Sequence, residues 1–373
     1  MSYNELYTRS GKLSNIRYIR VGTLLAKAFV SSMSLWEQSS PKTTSIGSNP
    51  VFGDAKLKGK EKMEEENKKQ DGFDVNQGHG NHIDCLSETE NTAEFISTWL
   101  AETVTKGDMA FSTPDPVVCD FGDDSPKREK IYYVSRDEPL RLMVLIGADE
   151  ANKRNVVVSA YPEFDGAEVA VKLTEIHEWA AGVEATLEGE VLGEAARQIA
   201  FFDTRYAMNK GRYEIGKTYK FRLSGFAYRA DVLPEKDREF RFEGDEAVEH
   251  RKRIGDEQKY DKNGNPEPVI FRMDEMVAYI PRWNNYPDDA AFQSPVFGGR
   301  RSISAFGTSF WRFDIAIARE DEEVVVPLIA KQSLFQNPPK AHDPVRGILW
   351  LQGYCQDPVP VEANSNERKE QDG

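Results

Sequence analysis

The sequence predicts a mainly β protein, α+β in content with one or two helices, that closes as a Greek-key barrel or a sandwich. Three observations lead there. Many short runs are β-branched or aromatic and bounded by Gly, Pro or Asp; several alternate cleanly between apolar and polar residues; and few segments repeat apolar residues at helical spacing.

In chain order, residues 1–36 read as a basic arm; Ile16–Trp36, which has no acidic residue, is the nearest approach to a targeting signal, and its other reading is an N-terminal helix or an arm that docks on a partner. Lys27 interrupts its apolar run, which disfavours a cleaved signal. Residues 37–85 read as a disordered charged linker, since KLKGKEKMEEENKKQ (56–70) cannot bury enough apolar area to offset its ordering entropy. A β-rich domain then spans 86–357, divisible at 165/166, with a charged surface insertion at 233–268. A polar tail closes the chain at 358–373.

Within the domain, Phe95, Ile96, Trp99, Leu100 and Val104 recur at helical spacing, which predicts a helix over Thr92–Thr105 stopped by Gly107. IYYV (131–134), LRLMVLIG (140–147) and NVVVSAY (155–161) predict buried strands. The segment 167–182 fits a helix through Val169, Leu173 and Ile176 and a strand through Val169, Val171 and Leu173. VEATLEGEV (183–191) alternates, with Val183, Ala185, Leu187, Gly189 and Val191 on one face. TYKFRLSGFAY (218–228), FWRFDIAIA (310–318), VVVPLIA (324–330) and GILWLQGYC (347–355) complete a β-rich C-terminal half. A strand with a central Gly, the loop Asn209-Lys210-Gly211 and a strand of alternating aromatics make 183–230 similar to the start of an OB-type barrel. No fixed-period repeat is visible.

The 373 residues carry a net charge of −14, but residues 1–58 hold eight Lys/Arg against three Asp/Glu, so +5 there leaves −19 elsewhere. That balance excludes a general nucleic-acid coat. No run approaches the apolar length of a membrane span. Cys85, Cys119 and Cys355 are widely spaced, so no disulfide scaffold is expected and a cytoplasmic, reducing location is the default.

Residues 201–229 contain eight aromatics and seven Lys/Arg but only Asp203 and Glu214 as acids. Such an island suits single-stranded nucleic acid, where aromatics stack on bases and cations follow phosphates. The candidates are Arg205, Tyr206, Lys210, Arg212, Tyr213, Lys220 and Arg222, although Tyr219 and Phe221 share a face with Leu223 and read as core. A second candidate surface is 281–307, where Arg282, Trp283, Arg300 and Arg301 combine the residue types enriched at protein interfaces.

For metals, His79-x-x-His82-x-x-Cys85 has zinc-compatible spacing but lacks a second close pair, and the acidic group Asp115, Asp120, Asp123 and Asp124 reads as a turn-rich loop. No metal or cofactor is therefore expected. The chain lacks a P-loop, GxGxxG after a strand, HExxH and GxSxG. Glu257-Gln258-Lys259 has a nuclease-like Glu-x-Lys form but falls in the charged insertion. The leading expectation is a non-enzymatic binding or assembly protein that engages a protein partner or itself. The alternatives are an OB-type module for single-stranded nucleic acid and a metal-dependent hydrolase.

Overall fold

A computed structural model describes residues 79, 82–88, 95–119, 127–135, 140–149, 154–191, 197–282, 286–319 and 323–360. The basic arm, most of the 37–85 linker, Trp283 and the tail beyond residue 360 lie outside the described residues.

The protein is mainly β, with three α-helices among the described residues. Its strands are β1 (Asp108–Ser112), β2 (Val117–Cys119), β3 (Lys127–Glu129), β4 (Ile131–Ser135), β5 (Arg141–Asp149), β6 (Arg154–Glu163), β7 (Ala167–Glu178), β8 (Ala185–Val191), β9 (Arg197–Asp203), β10 (Thr218–Val232), β11 (Glu239–Phe242), β12 (Val269–Arg272), β13 (Ala278–Pro281), β14 (Asp289–Ala305), β15 (Thr308–Arg319), β16 (Glu323–Lys331) and β17 (Pro344–Cys355). The helices are α1 (Ala101–Lys106), α2 (Tyr206–Asn209) and α3 (Gly244–Ile254). Among the described residues no helix is long and apolar enough to cross a membrane.

The chain divides into two units, and the described part of one is 234–274. The charged composition of 233–268 suggested a bare insertion, yet β11 and β12 pair antiparallel and α3 packs on them. Phe242 stacks on His250 at 4.7 Å between ring centroids, and Phe271 meets the same ring edge-on at 5.1 Å. Phe271 lies beyond the segment's expected end, so its aromatic partner was not visible from composition. Asp245 and Glu246 begin α3 while Arg251, Lys252 and Arg253 end it, matching the helix dipole, and Gly255 at φ 72° stops it.

In the other unit, β1, β4, β5 and β6 form an antiparallel sheet in the order β1-β4-β5-β6. Alternation in β4 explains its placement: Ile131, Tyr133 and Ser135 are buried while Tyr132 and Val134 are half-buried. The expected helix is present as a π-type turn at Ile96–Leu100 running into α1. Phe95 and Trp99 from this segment meet Phe306 at the turn between β14 and β15.

Strands β7–β10 and β14–β17 close two rings that share β10 and β17, with β13 added beside β14. In the first, β7, β8, β9, β17 and β10 pair in that order and β10 returns to β7; only the β9/β17 pairing is parallel. In the second, β14, β15, β16, β10 and β17 pair in order and β17 returns to β14; only β16/β10 is parallel. The start of each shared strand pairs with the first strand of its own ring, Thr218↔Lys172 on β7 and Pro295↔Pro344 on β14. Its later part runs beside the third strand of the other ring, as in Gly225↔Leu328 and Gly353↔Asp203. A helical turn precedes each shared strand, α2 before β10 and Gln332–Leu334 before β17. The chain thus repeats in topology what it does not repeat in sequence.

The ambiguity over 167–182 is resolved as a strand. A bulge between Leu173 and Glu175 inserts one residue, so Leu173 and Ile176 are three apart yet serve one strand. β17 is buried at all twelve positions. Its inner side chains, Leu349 and Leu351, join Phe221, Leu223, Phe292, Phe313 and Leu328 inside the rings, while Trp350 joins Tyr133, Leu142, Tyr161, Phe202, Phe226 and Phe310 in a second core. Consecutive Phe201 and Phe202 on β9 divide in the same way because a strand turns alternate side chains to opposite faces. Each fully buried large side chain contributes about 1.5–3 kcal/mol.

Candidate functional site

Two carboxylates and two imidazoles meet on the outer face of the first ring. Asp288 is placed by the turn into β14, where Leu351 N donates to its carbonyl at 2.8 Å. Trp350 on β17 and Thr186 on β8 supply side chains from neighbouring outward-facing positions. The imidazoles come from the end of the segment expected as linker, which is anchored by buried Ile83, Cys85 and Leu86 and by Lys331 Nζ donating to Ser87 O at 2.6 Å. Composition hid this because the apolar residues that dock it are few and follow a long polar run.

Asp288 Oδ2 accepts from His79 Nε2 at 2.8 Å and from Trp350 Nε1 at 2.7 Å. Thr186 Oγ1 reaches Asp288 Oδ1 at 3.5 Å and accepts from Trp179 Nε1 at 3.1 Å. With His79 Nε2–H committed to Asp288, its Nδ1 accepts from His82 Nε2 at 2.9 Å. His82 Nδ1 then accepts from the Tyr228 hydroxyl, which also hydrogen-bonds Asp289. The two imidazoles lie among aromatic rings. His82 stacks on Trp350 at 4.1 Å and 3° between planes, and His79 lies 4.6 Å from Trp179 and 4.7 Å from Phe202.

Burial, reinforced by neighbouring His79, holds His82 well below the ordinary imidazole range and keeps it neutral. Burial, followed by the charge of Asp288, pushes Asp289 well above the ordinary carboxylate range, with Arg282 opposing. Burial likewise raises the Tyr228 hydroxyl and the Cys85 thiol. One ring nitrogen from each of His79 and His82 and one oxygen of Asp288 lie within 4.8 Å of one another, a grouping that could hold a metal ion. Cys85, the third residue of the sequence motif, instead turns Sγ to His82 O at 2.7 Å. Glu175, His177 and Glu188 form another such group. There Glu188 approaches Nε2 at 2.7 Å and Glu175 approaches Nδ1 at 3.8 Å, and the group is partly exposed to solvent where the first is buried.

A second buried polar cluster centres on Glu163. It accepts from Arg141 Nη2 at 2.9 Å, Arg205 Nη2 at 3.3 Å and Thr204 Oγ1 at 2.7 Å. The Arg205 guanidinium lies 3.6 Å from the Tyr354 ring centroid and 4.7 Å from that of Phe111. Beside it Asp203 accepts from Tyr213 Oη at 2.7 Å and Arg205 N at 2.9 Å, and burial raises its carboxyl to about 7.

The sequence-derived candidates fall as follows. Tyr206 is buried and donates to Glu178 at 2.9 Å; Lys210 reaches the same carboxylate at 3.0 Å. Tyr213 is buried in the ring core. Arg212 pairs with Asp357 at 2.6 Å, Lys220 with Glu168 at 2.8 Å, and Arg222 donates to Gly166 O at 3.3 Å. The aromatics of 201–229 pack into the two cores, Phe201, Tyr206, Tyr213, Tyr219 and Phe221 inside the rings and Phe202, Phe226 and Tyr228 in the second core, and many of its cations meet acids. Arg282 is half-buried and its backbone N donates to Asp289 O at 2.7 Å. Arg300 lies over Trp311 at 4.9 Å and donates to Pro339 O at 3.0 Å, while exposed Arg301 pairs across the strands with Arg312. Sequence reasoning singled out the two histidines but missed Asp288, Tyr228 and Trp350. His79 and Asp288 are 209 residues apart, and no local spacing links them.

No family model, no curated protein and no solved structure matches the chain.

Proposed function

We propose that the chain is a non-enzymatic binding protein that associates with a second copy of itself, built on two fused five-stranded barrels of OB type. The order first-second-third-fifth-fourth, with the third and fifth strands parallel, occurs in the first ring, and the second repeats its pairing pattern with β10, which precedes β14 in the chain, in the place that β17 takes in the first; this supports the barrel reading. The observation that carries the binding surface is the irregularity between Phe297 and Arg301, where Gly298 at φ 67° and Gly299 interrupt the β14/β15 ladder and leave Arg301 exposed beside Arg312. A basic bulge on a chain of net charge −14 is complementary to another copy. The buried placement of His79, His82 and Asp288, away from any substrate in solvent, speaks for a structural centre and against the hydrolase reading.

Sedimentation velocity on the full chain tests self-association. The expected result is mass above the monomer that falls to monomer for R301E/R312E and at high salt. A wild-type protein that stays monomeric at every concentration overturns it.

A second reading, single-stranded nucleic acid on the same face, draws on the usual use of the second and third strands of an OB barrel, here β15 and β16. Its measure is anisotropy of labelled oligonucleotides at low salt. Binding that weakens with salt and is lost in R301E/R312E favours this reading over self-association.

A further inference from the structure

The centre around Asp288 gathers buried groups that ligate metals, with one unpartnered carboxylate oxygen beside them. His79, His82, Asp288 and Asp289 are each less than one-tenth exposed. Asp288 and Asp289 are consecutive carboxylates, and Asp289 Oδ1 has no hydrogen-bond partner although it is buried. Leaving such an atom unpaired costs about 1–3 kcal/mol, and more if it is charged. Two imidazoles and a carboxylate are the ligands of zinc-class divalent ions, whereas calcium and magnesium take oxygen ligands almost alone. The surroundings also match such a site. Trp350 Nε1 and Thr186 Oγ1 direct Asp288, and Tyr228 directs His82, as outer hydrogen-bond partners orient metal ligands.

We propose that His79, His82 and Asp288 bind one zinc-class divalent cation, which takes the place of the protons now shared among them and ties His79 and residues 82–88 to the outer face of the first ring. The site is structural. It joins a short segment to residues 209 positions away, a closure that gains stability in the folded chain because the unfolded chain lacks a preformed site.

The test is metal content of the purified full-length protein after exposure to zinc and exhaustive dialysis, with cobalt(II) as a spectroscopic substitute. The expected result is close to one zinc per chain, a thermal midpoint that rises with zinc but not magnesium, and the visible d–d bands of low-coordinate cobalt. D288N and H82Q should each weaken zinc retention by at least about tenfold, while H177Q, on the β7/β8 surface, should retain zinc as wild type does. If a variant fails to fold, the wild-type stoichiometry and cobalt spectrum still decide. Wild-type protein that holds no stoichiometric zinc and shows no zinc-dependent midpoint overturns the proposal and leaves a hydrogen-bonded chain of side chains alone.

Discussion

The indole N–H of Trp350 lies 2.7 Å from Asp288 Oδ2, so the tryptophan fills the core between the rings and the covering sheet and also orients a buried carboxylate. Trp350→Phe keeps most of the ring and removes the donor. The expected loss is about 1–3 kcal/mol, the cost of a buried acceptor that loses a partner, measured by urea unfolding. An unchanged midpoint would show that Asp288 does not need this bond.

Asp203 makes stability depend on pH. Its carboxyl titrates near 7 in the folded protein against 3.8 for the ordinary group, chiefly because it is buried. Between those values the folded state holds a proton that the unfolded state has released, so stability falls as pH rises from about 4 to 7 and levels off above. The fall from this group is at most about 4 kcal/mol. Asp203→Asn should flatten the unfolding midpoint across that window relative to wild type; equal slopes in both proteins would refute the assignment.

Glu163 is a buried acceptor for Arg141, Arg205 and Thr204. Glu163→Gln removes the charge that two guanidiniums face, and breaking such a buried pair costs about 3–5 kcal/mol. Equilibrium denaturation checks this, with Lys220→Gln as the comparison: its exposed pair with Glu168 should change stability by less than about 1 kcal/mol.

Gly347 lies where β17 crosses β10, and a Cβ there would come within 2.0 Å of Arg229 O. Gly347→Ala should lose several kcal/mol or fail to fold, because both partners are backbone in the strands the two rings share. Gly299→Ala, with nothing within 4 Å of its Cβ position, should stay within about 0.5 kcal/mol of wild type. Comparable loss in both would show that the shared strands tolerate displacement.

The sequence was legible where a side-chain pattern is local. Alternation placed β8, β10 and β15, and short β-branched or aromatic runs placed β4, β5 and β6. It failed where the pattern is broken or remote. The bulge after Leu173 mimicked helical spacing, and the few apolar residues at 83–86 were outweighed by the polar run before them. His79-x-x-His82 was visible as a motif, but its carboxylate partner was not, because thirteen strands lie between them among the described residues and only strand pairing sets which remote residues meet.

By itself, then, the sequence determined that this is a mainly β protein with alternating buried faces, since period-two burial is written residue by residue. Only the tertiary structure decided that β10 and β17 serve two rings at once, that the aromatics of 201–229 turn inward, and that His79, His82 and Asp288 share one buried site. Those outcomes depend on pairing between distant strands, whose register follows from packing across the whole sheet rather than from any local run.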